Sequence, residues 1–142
     1  MSTTSPTPSP AASRLPAGVA VRAADLTRSD TLAAPIGGAA HIILTAGLYS
    51  GYPASNATAR ATEFDGVLNV LGAARRTGFA GRFLYMTASG VRSRSVPARG
   101  LNLWKGNTLT WRWRAEEAIR ASGLDYSIIR AGFLMNRPAG WR

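Results

Sequence analysis

The chain has 142 residues, no cysteine and one histidine, so a disulfide framework, a thiolate metal site and a histidine-rich metal site are excluded. Its apolar content of 46% suits one domain with one buried core. No apolar run approaches the roughly 18 residues that a membrane span needs, and the N-terminus lacks the apolar core of a secretory signal. We therefore expect a cytoplasmic protein with no membrane contact.

The formal charge of +10 raises nucleic-acid binding as an alternative. Most of the cations are arginines that are scattered singly along the chain, which disfavours a continuous basic face. The densest stretch, Arg82 to Arg114, holds seven cations and no acid. A dinucleotide phosphate would suit this stretch as well as a nucleic acid would.

Residues 1–17 consist mainly of Ser, Thr, Pro and Ala and carry one charged side chain, Arg14. Such a segment buries too little apolar surface to offset its ordering entropy. We predict a disordered tail over 1–17, with a transit peptide as the less favoured alternative. The folded domain is predicted over 18–142.

Short apolar runs alternate with helical patterns from Gly18 onward, which is typical of βα units and predicts an α/β fold with a parallel sheet. The strands are predicted near residues 19–24, 41–45, 82–87 and 126–130. The spacing of Thr27 and Asp30 predicts a capping box for a short helix that carries Leu32 and is stopped by Pro35 and the glycine pair after it.

Two longer helices have clear apolar faces. The first is predicted near 56–77, ends at Gly78, and has its face at Phe64, Val67, Leu68 and Leu71. The second is predicted near 108–122, with Gly123 as its C-cap, and has its face at Trp111, Ala115, Ala118 and Ile119. Two i,i+4 ion pairs are expected on it, Arg112 with Glu116 and Glu116 with Arg120. The segment before it is predicted to be a polar, arginine-rich loop.

The order of these elements, with Thr-Ala-Gly after one strand and Thr-Ala-Ser-Gly after the next, resembles the atypical short-chain dehydrogenase/reductases, especially their NmrA-like, NAD(P)H-binding group. The most specific part is residues 111–132, which end in AEEAIRASGLDYSIIRAG. The resemblance implies a Rossmann-like parallel sheet with flanking helices, NAD or NADP as cofactor, and a small-molecule substrate. It also implies a truncated domain, because the family's first strand, glycine-rich G-x-x-G-x-x-G turn and second strand are missing.

In such sheets ligands bind beyond the carboxyl ends of the strands. By resemblance Asp25 would contact the adenine, and Thr45-Ala46-Gly47 would approach the adenosine ribose. Thr87, Arg130 and Gly132 would lie near the nicotinamide. A turn aspartate at Asp25 and a plain strand-to-loop glycine at Gly47 are the alternatives. Because Thr45, Thr87 and Gly132 each lie at or just after a strand end, we expect them to line one edge of the sheet.

The candidate catalytic residues are Thr87 and Ser89, either of which could supply the family's substrate-binding hydroxyl, and Lys105, which could supply an ammonium group. The family's tyrosine-x-x-x-lysine pair has no match, because residues 110–114 read Thr-Trp-Arg-Trp-Arg. Arginine is a fixed cation and cannot exchange a proton as a phenol does. Asn69 resembles a family asparagine, although a structural bond to a neighbouring backbone group is the favoured interpretation.

The resemblance therefore implies an NAD(P)-binding oxidoreductase-like protein that acts on a small molecule in a truncated or inactive form. The alternative is a non-catalytic dinucleotide sensor or partner-binding module. Without the glycine turn, weak dinucleotide binding and no turnover are expected.

Overall fold

The computed structural model describes residue 16 and residues 18–48 and 52–132. Its sheet has three parallel strands in the order β1 (His41–Leu44), β2 (Arg82–Ala88) and β3 (Asp125–Ala131). Leu44 is level with Tyr85, and Ala88 with Ala131. The predicted parallel α/β sheet is confirmed, and three of its four predicted strands are present. The predicted tail lies almost wholly outside the described residues.

The strand predicted near 19–24 is wrong. These residues have no regular secondary structure, and Val19 and Val21 are each 52% exposed. An alternating apolar pattern makes a strand only where a neighbour accepts its backbone hydrogen bonds, and this segment pairs with no strand of the described sheet.

Helices occupy most of the remaining described chain. A 3₁₀ turn at Ser29–Thr31 leads into α1 (Ala33–Ile36), and α2 (Asn56–Arg60) continues through a π-helical segment (Ala61–Asp65) into α3 (Gly66–Arg76). The last two helices are α4 (Val96–Trp104) and α5 (Thr108–Arg120). None of the described helices is both long enough and apolar enough to cross a membrane.

The short helix near Leu32 is present, but the predicted capping box is wrong. Thr27 donates its hydroxyl to Asp25 Oδ1 at 2.8 Å instead of capping a helix. Pro35 lies inside α1 rather than after it. In the first turn of a helix a proline removes only an N–H group that has no partner there.

The long helical stretch from Asn56 to Arg76 agrees with the prediction, although its buried face is rotated. Leu68 is 39% exposed, whereas Val70 is 3% exposed and packs in the core. A π turn takes one more residue than an α turn. The residues on either side of the π segment therefore do not follow a single 3.6-residue period, and the predicted place of Leu68 in the face is wrong.

Helix α4 contradicts the predicted arginine-rich loop. Ser95 caps it by accepting a hydrogen bond from the N–H of Ala98 at 3.4 Å, and Pro97 lies in its first turn, where proline is tolerated. Gly100 and Pro97 lower the helical signal of this segment, while its cap and Ala98, which is buried, make the helix form.

The core lies between the sheet and helices α3 and α5. Phe83 and Tyr85 of β2 are almost fully buried against Val70, Ala115 and Ile119. The opposite face of the sheet is more open, with Ile43 67% and Ile129 47% exposed. The packed layer holds β2 and β3 in place, and these two strands end at the site described next.

Candidate functional site

The carboxyl ends of the three strands meet at one edge of the sheet. Thr45 follows β1, Thr87 lies at the end of β2, and Gly132 follows β3. The strands are parallel and in register, so these positions share an edge, as predicted.

A cavity of about 570 Å³ opens at the ends of β2 and β3. Ser89, which follows β2, lines this cavity, and its N–H donates to the carbonyl of Ala131 at 2.9 Å. This bond fixes the loop after β2 against β3. The other lining groups include small residues, three apolar side chains and two further hydroxyls: Ala88, Gly90, Gly132, Leu101, Trp104, Leu109, Ser93 and Ser95. We call this space the strand-end cavity.

The two candidate hydroxyls have different surroundings. Ser89 is exposed and lines the strand-end cavity. Thr87 is only 2% exposed and lies on the buried face of β2. Of the two, Ser89 is the one that a ligand in the cavity could reach without rearrangement.

Lys105 does not line the strand-end cavity. It is 4% exposed, and its ammonium donates a hydrogen bond to the backbone carbonyl of Tyr52 and lies 5.1 Å from the ring centroid of Trp104. Its charge therefore helps to hold the chain around Tyr52 beside the end of α4.

Arg130 is engaged by a buried acid. Its guanidinium donates two hydrogen bonds to Glu116, which is fully buried on α5. Arg120 bonds the same carboxylate at 2.9 Å, which confirms one of the two predicted helical ion pairs. The other prediction is corrected, since Arg112 pairs with Glu63. Arg130 thus joins β3 to α5 beside the cavity.

Glu63, in the π-helical segment, is a buried acid beside the loop after β1 and was not among the predicted site residues. It is 1% exposed and accepts hydrogen bonds from the N–H of Leu48 at 2.9 Å, Arg112 at 2.9 Å and Thr108 at 3.3 Å. A Cβ on Gly47 would lie 2.5 Å from Arg112 Nη2. The space beside Gly47 is therefore filled by the chain's own arginine. Thr45 and Ala46 are exposed next to it. The sequence offered little signal for Glu63, since Arg60 and Asp65 are charged residues of the same helical stretch.

Asp25 forms a turn at the surface. Its Oδ1 accepts hydrogen bonds from the N–H and the hydroxyl of Thr27, both at 2.8 Å. These bonds hold the pKa of Asp25 below its ordinary value, and the bond from the Thr27 hydroxyl has the larger effect. Nearby, Asn69 donates to the carbonyl of Leu26 at 2.8 Å. The structural interpretation of Asn69 is confirmed, and the geometry at Asp25 is that of a turn aspartate.

Tyr85, in β2, is a buried phenol. Burial, followed by the charge of Glu63, raises the pKa of Tyr85 to about 12. Its side chain is 1% exposed and belongs to the core, so it does not line the strand-end cavity. At the position of the family's tyrosine, α5 instead presents Thr110 and the two tryptophans that follow.

Comparison with known proteins identifies the fold and the family. An NAD(P)H-binding family model matches residues 7–142. Protein TIC 62, chloroplastic, of Pisum sativum is 31% identical over 114 residues, which are 80% of this chain and 21% of the pea protein. The Arabidopsis thaliana protein of the same name is 32% identical over 80% of this chain and 17% of its own length. The chain thus spans about a fifth or less of these relatives.

Solved structures share the fold at low identity. A putative NAD-dependent epimerase/dehydratase from Bacillus halodurans has a TM-score of 0.66 at 18% identity, over 82% of this chain and 50% of that one. WbmG of Bordetella bronchiseptica, solved with NAD and UDP, has a TM-score of 0.61 at 21% identity, over 80% and 38%. Because the family match covers nearly the whole chain and the fold agrees with it, the chain belongs to the NAD(P)H-binding family and has a Rossmann-type fold.

Proposed function

We propose that the strand-end cavity receives the nicotinamide end of NAD or NADP, together with a small, largely apolar substrate. The chain would then form the nicotinamide side of an oxidoreductase-like protein of the atypical short-chain dehydrogenase/reductase type. The observation that carries this proposal is the position of the cavity, which lies at the carboxyl ends of two adjacent parallel strands, where Rossmann-type folds bind their ligands.

The lining fits a flat ring. Gly90, Ala131 and Gly132 have little or no side chain, and a Cβ on Gly132 would meet no atom within 4 Å. Backbone can therefore approach a bound ring closely on this side. Leu101 and Leu109 supply apolar contact, and Ser89 offers a hydroxyl to a substrate oxygen. When bound, a reduced nicotinamide would supply a hydride.

The rest of the proposed cofactor site fits less well. Gly47 is packed against Arg112, and Arg130 is bonded to Glu116. Asp25 is exposed and remains open to a ligand. The 142 residues contain no G-x-x-G-x-x-G spacing, which is the turn whose backbone N–H groups hold a pyrophosphate. We therefore expect the nicotinamide end to supply most of the contacts.

A non-catalytic dinucleotide sensor is the alternative function. It is favoured by the absence of a phenol at 110–114 and by the engagement of Lys105 with Tyr52. Residues 110–114 contain no ionisable hydroxyl, and Lys105 does not line the strand-end cavity. Neither can therefore exchange a proton with a substrate there. A truncated or inactive state and a cytoplasmic location stay predictions.

Nicotinamide mononucleotide tests the proposal, because it carries the nicotinamide end without the adenosine half. In amide NMR spectra we expect its largest shifts at Ser89, Gly90 and Gly132, with little change at Thr45. Gly132→Leu places a branched side chain on the side where the ring would bind and should strongly reduce the shifts. Ala121→Leu, at an exposed position after α5, is the matched control. Shifts that persist in Gly132→Leu would place the ligand elsewhere.

Turnover separates the two functions. Oxidation of NADH or NADPH with a small aldehyde or ketone, followed at 340 nm at saturating ligand, would support an active oxidoreductase and contradict the predicted inactive state. The sensor alternative predicts binding in the strand-end cavity with no oxidation above a protein-free control.

A further inference from the structure

A second cavity, also of about 570 Å³, lies between the loop after β2 and helices α4 and α5. We call it the arginine cavity. Three of its lining residues are Arg92, Arg94 and Arg99, and its hydrogen-bonding side chains also include Ser93, Asn102 and Thr110. Its lining contains no acidic residue.

The charge of this cavity is not neutralised within the described chain. The ion pairs of the described chain are formed by other arginines, and Arg92, Arg94 and Arg99 take part in none of them. No Asp or Glu occurs from residue 66 to residue 115. Three cations that line one concave surface without an acidic lining residue create a positive potential that attracts anions.

One of these arginines is held in orientation. The guanidinium of Arg92 lies 4.6 Å from the ring centroid of Trp113. Arg120 and Arg130 lie 5.3 and 5.6 Å from the same ring, and both are bonded to the buried Glu116. Trp113 is therefore fixed, and it offers Arg92 a rigid cation–π platform. Pre-orientation lowers the entropy lost when a ligand binds.

The neighbouring polar groups are also oriented. Asn102 Oδ1 accepts from the N–H of Leu109 at 2.9 Å, and its Nδ2 donates to Thr110 at 3.3 Å. The amide nitrogen carries a second hydrogen that can serve a ligand. The cavity thus combines guanidinium forks with neutral donors.

The arginine cavity is separate from the strand-end cavity. The two share one lining residue, Ser93. A small apolar cluster of Val91, Ala98 and Leu109 packs between them. Val91 lines the arginine cavity, and Ala98 and Leu109 line the strand-end cavity.

We propose that the arginine cavity binds the phosphate group of a small molecule. Arginine binds phosphate oxygens through paired N–H groups with defined geometry. All three arginines line one cavity, whereas a duplex backbone, with one charge per about 1.7 Å, requires an extended row of cations. This site lies outside the proposed function and does not depend on it.

Calorimetric titration of the 142-residue chain with pyrophosphate tests the site. We expect saturable one-to-one binding that Arg94→Gln/Arg99→Gln weakens at least about tenfold. Arg22→Gln/Arg76→Gln is the matched control, because it removes two exposed, unpaired charges elsewhere. It should change the dissociation constant by no more than about twofold. Thermal unfolding of both variants checks that each one folds.

Further titrations distinguish the sources of the phosphate. Ribose 5-phosphate that binds more tightly than inorganic phosphate would support a phosphate ester, and the reverse order would support free phosphate. Equal weakening in both double variants, or no saturable binding by the wild type, would overturn the site. An affinity for duplex DNA that rises with its length and is lost only in Arg94→Gln/Arg99→Gln would replace the small ligand with a nucleic acid.

Discussion

Arg130 donates two hydrogen bonds to Glu116, from Nε to Oε1 at 3.1 Å and from Nη2 to Oε2 at 2.7 Å. Burial acts to raise the pKa of Glu116, but the hydrogen bonds from Arg130 and Arg120 outweigh it and hold the pKa below its ordinary value. The contact fixes the end of β3 against α5. It therefore positions Gly132, the next residue but one after Arg130, at the strand-end cavity.

Glu116→Gln should destabilise the fold. The substitution removes the charge from a fully buried hydrogen-bonded group, and hydrogen bonds to charged groups are worth about 1.5 to 3 kcal/mol each. We expect a loss of about 2 to 3 kcal/mol in the free energy of unfolding, measured with urea. Glu117→Gln is the control, since Glu117 is 55% exposed and should cost less than about 1 kcal/mol. Equal losses would contradict a buried role for Glu116.

Low pH should remove the stabilisation that the Glu116 carboxylate provides. A carboxyl whose pKa is lowered by folding stabilises the protein fully when the pH is above the pKa of the unfolded chain, which is 4.5 for Glu116. This stabilisation is lost as the pH falls through the pKa of the folded protein. Below about pH 4.5 the wild type should lose stability more steeply than Glu116→Gln. Urea midpoints measured from pH 7 to pH 3 test this, and parallel curves would contradict it.

Gly47→Ala should be destabilising, while Gly132→Ala should be nearly neutral. A Cβ on Gly47 would lie 2.5 Å from Arg112 Nη2 and 3.2 Å from both Glu63 carboxylate oxygens. The guanidinium ends a flexible side chain, but its ion pair with the buried Glu63 opposes its movement, so we expect an overpacking cost of about 1 to 3 kcal/mol. A Cβ on Gly132 would meet nothing within 4 Å, so a change below about 0.5 kcal/mol is expected. If thermal unfolding shows both variants to be neutral, the Glu63–Arg112 pair does not pack against Gly47.

Gly100→Ala should stabilise the protein, because Gly100 lies inside α4 and an added Cβ has open space there. Alanine is favoured over glycine in a helix interior by about 0.8 to 1 kcal/mol. Gly123→Ala is the contrasting variant, since Gly123 has a φ of +78° that an L side chain rarely adopts, and it should lower stability by about 1 to 2 kcal/mol. A loss of stability in Gly100→Ala would be inconsistent with α4.

The sequence predicted those elements whose pattern is local. The β-branched run at β1, the apolar run at β2, and the spacing of Ala115 and Ile119 in α5 each indicate the type of element from neighbouring residues alone. Helix α4 was missed because Pro97 and Gly100 reduce its helical signal, although Ser95 marked its start. The segment near Val19 was misjudged because strand formation depends on a neighbour that local pattern does not reveal.

The candidate site was predictable in position but not in detail. Parallel strands bring Ser89 and Gly132 together from residues that are far apart in sequence, and the order of elements was enough to expect it. The partners of Arg130 and Gly47 depend on which helix face turns inward. Glu63 lies in a π segment and meets Arg112, which is 49 residues away, so no local pattern specifies that contact.

The most direct test of the proposed cofactor site is calorimetric titration of the chain with NADH and NADPH at physiological salt, with Gly132→Leu in parallel. Contacts from the nicotinamide end alone, without a glycine turn for the pyrophosphate, predict a dissociation constant of roughly millimolar order. Gly132→Leu should strongly reduce even this binding. A salt-resistant dissociation constant at or below about 10 μM, or the same affinity in Gly132→Leu, would contradict the account.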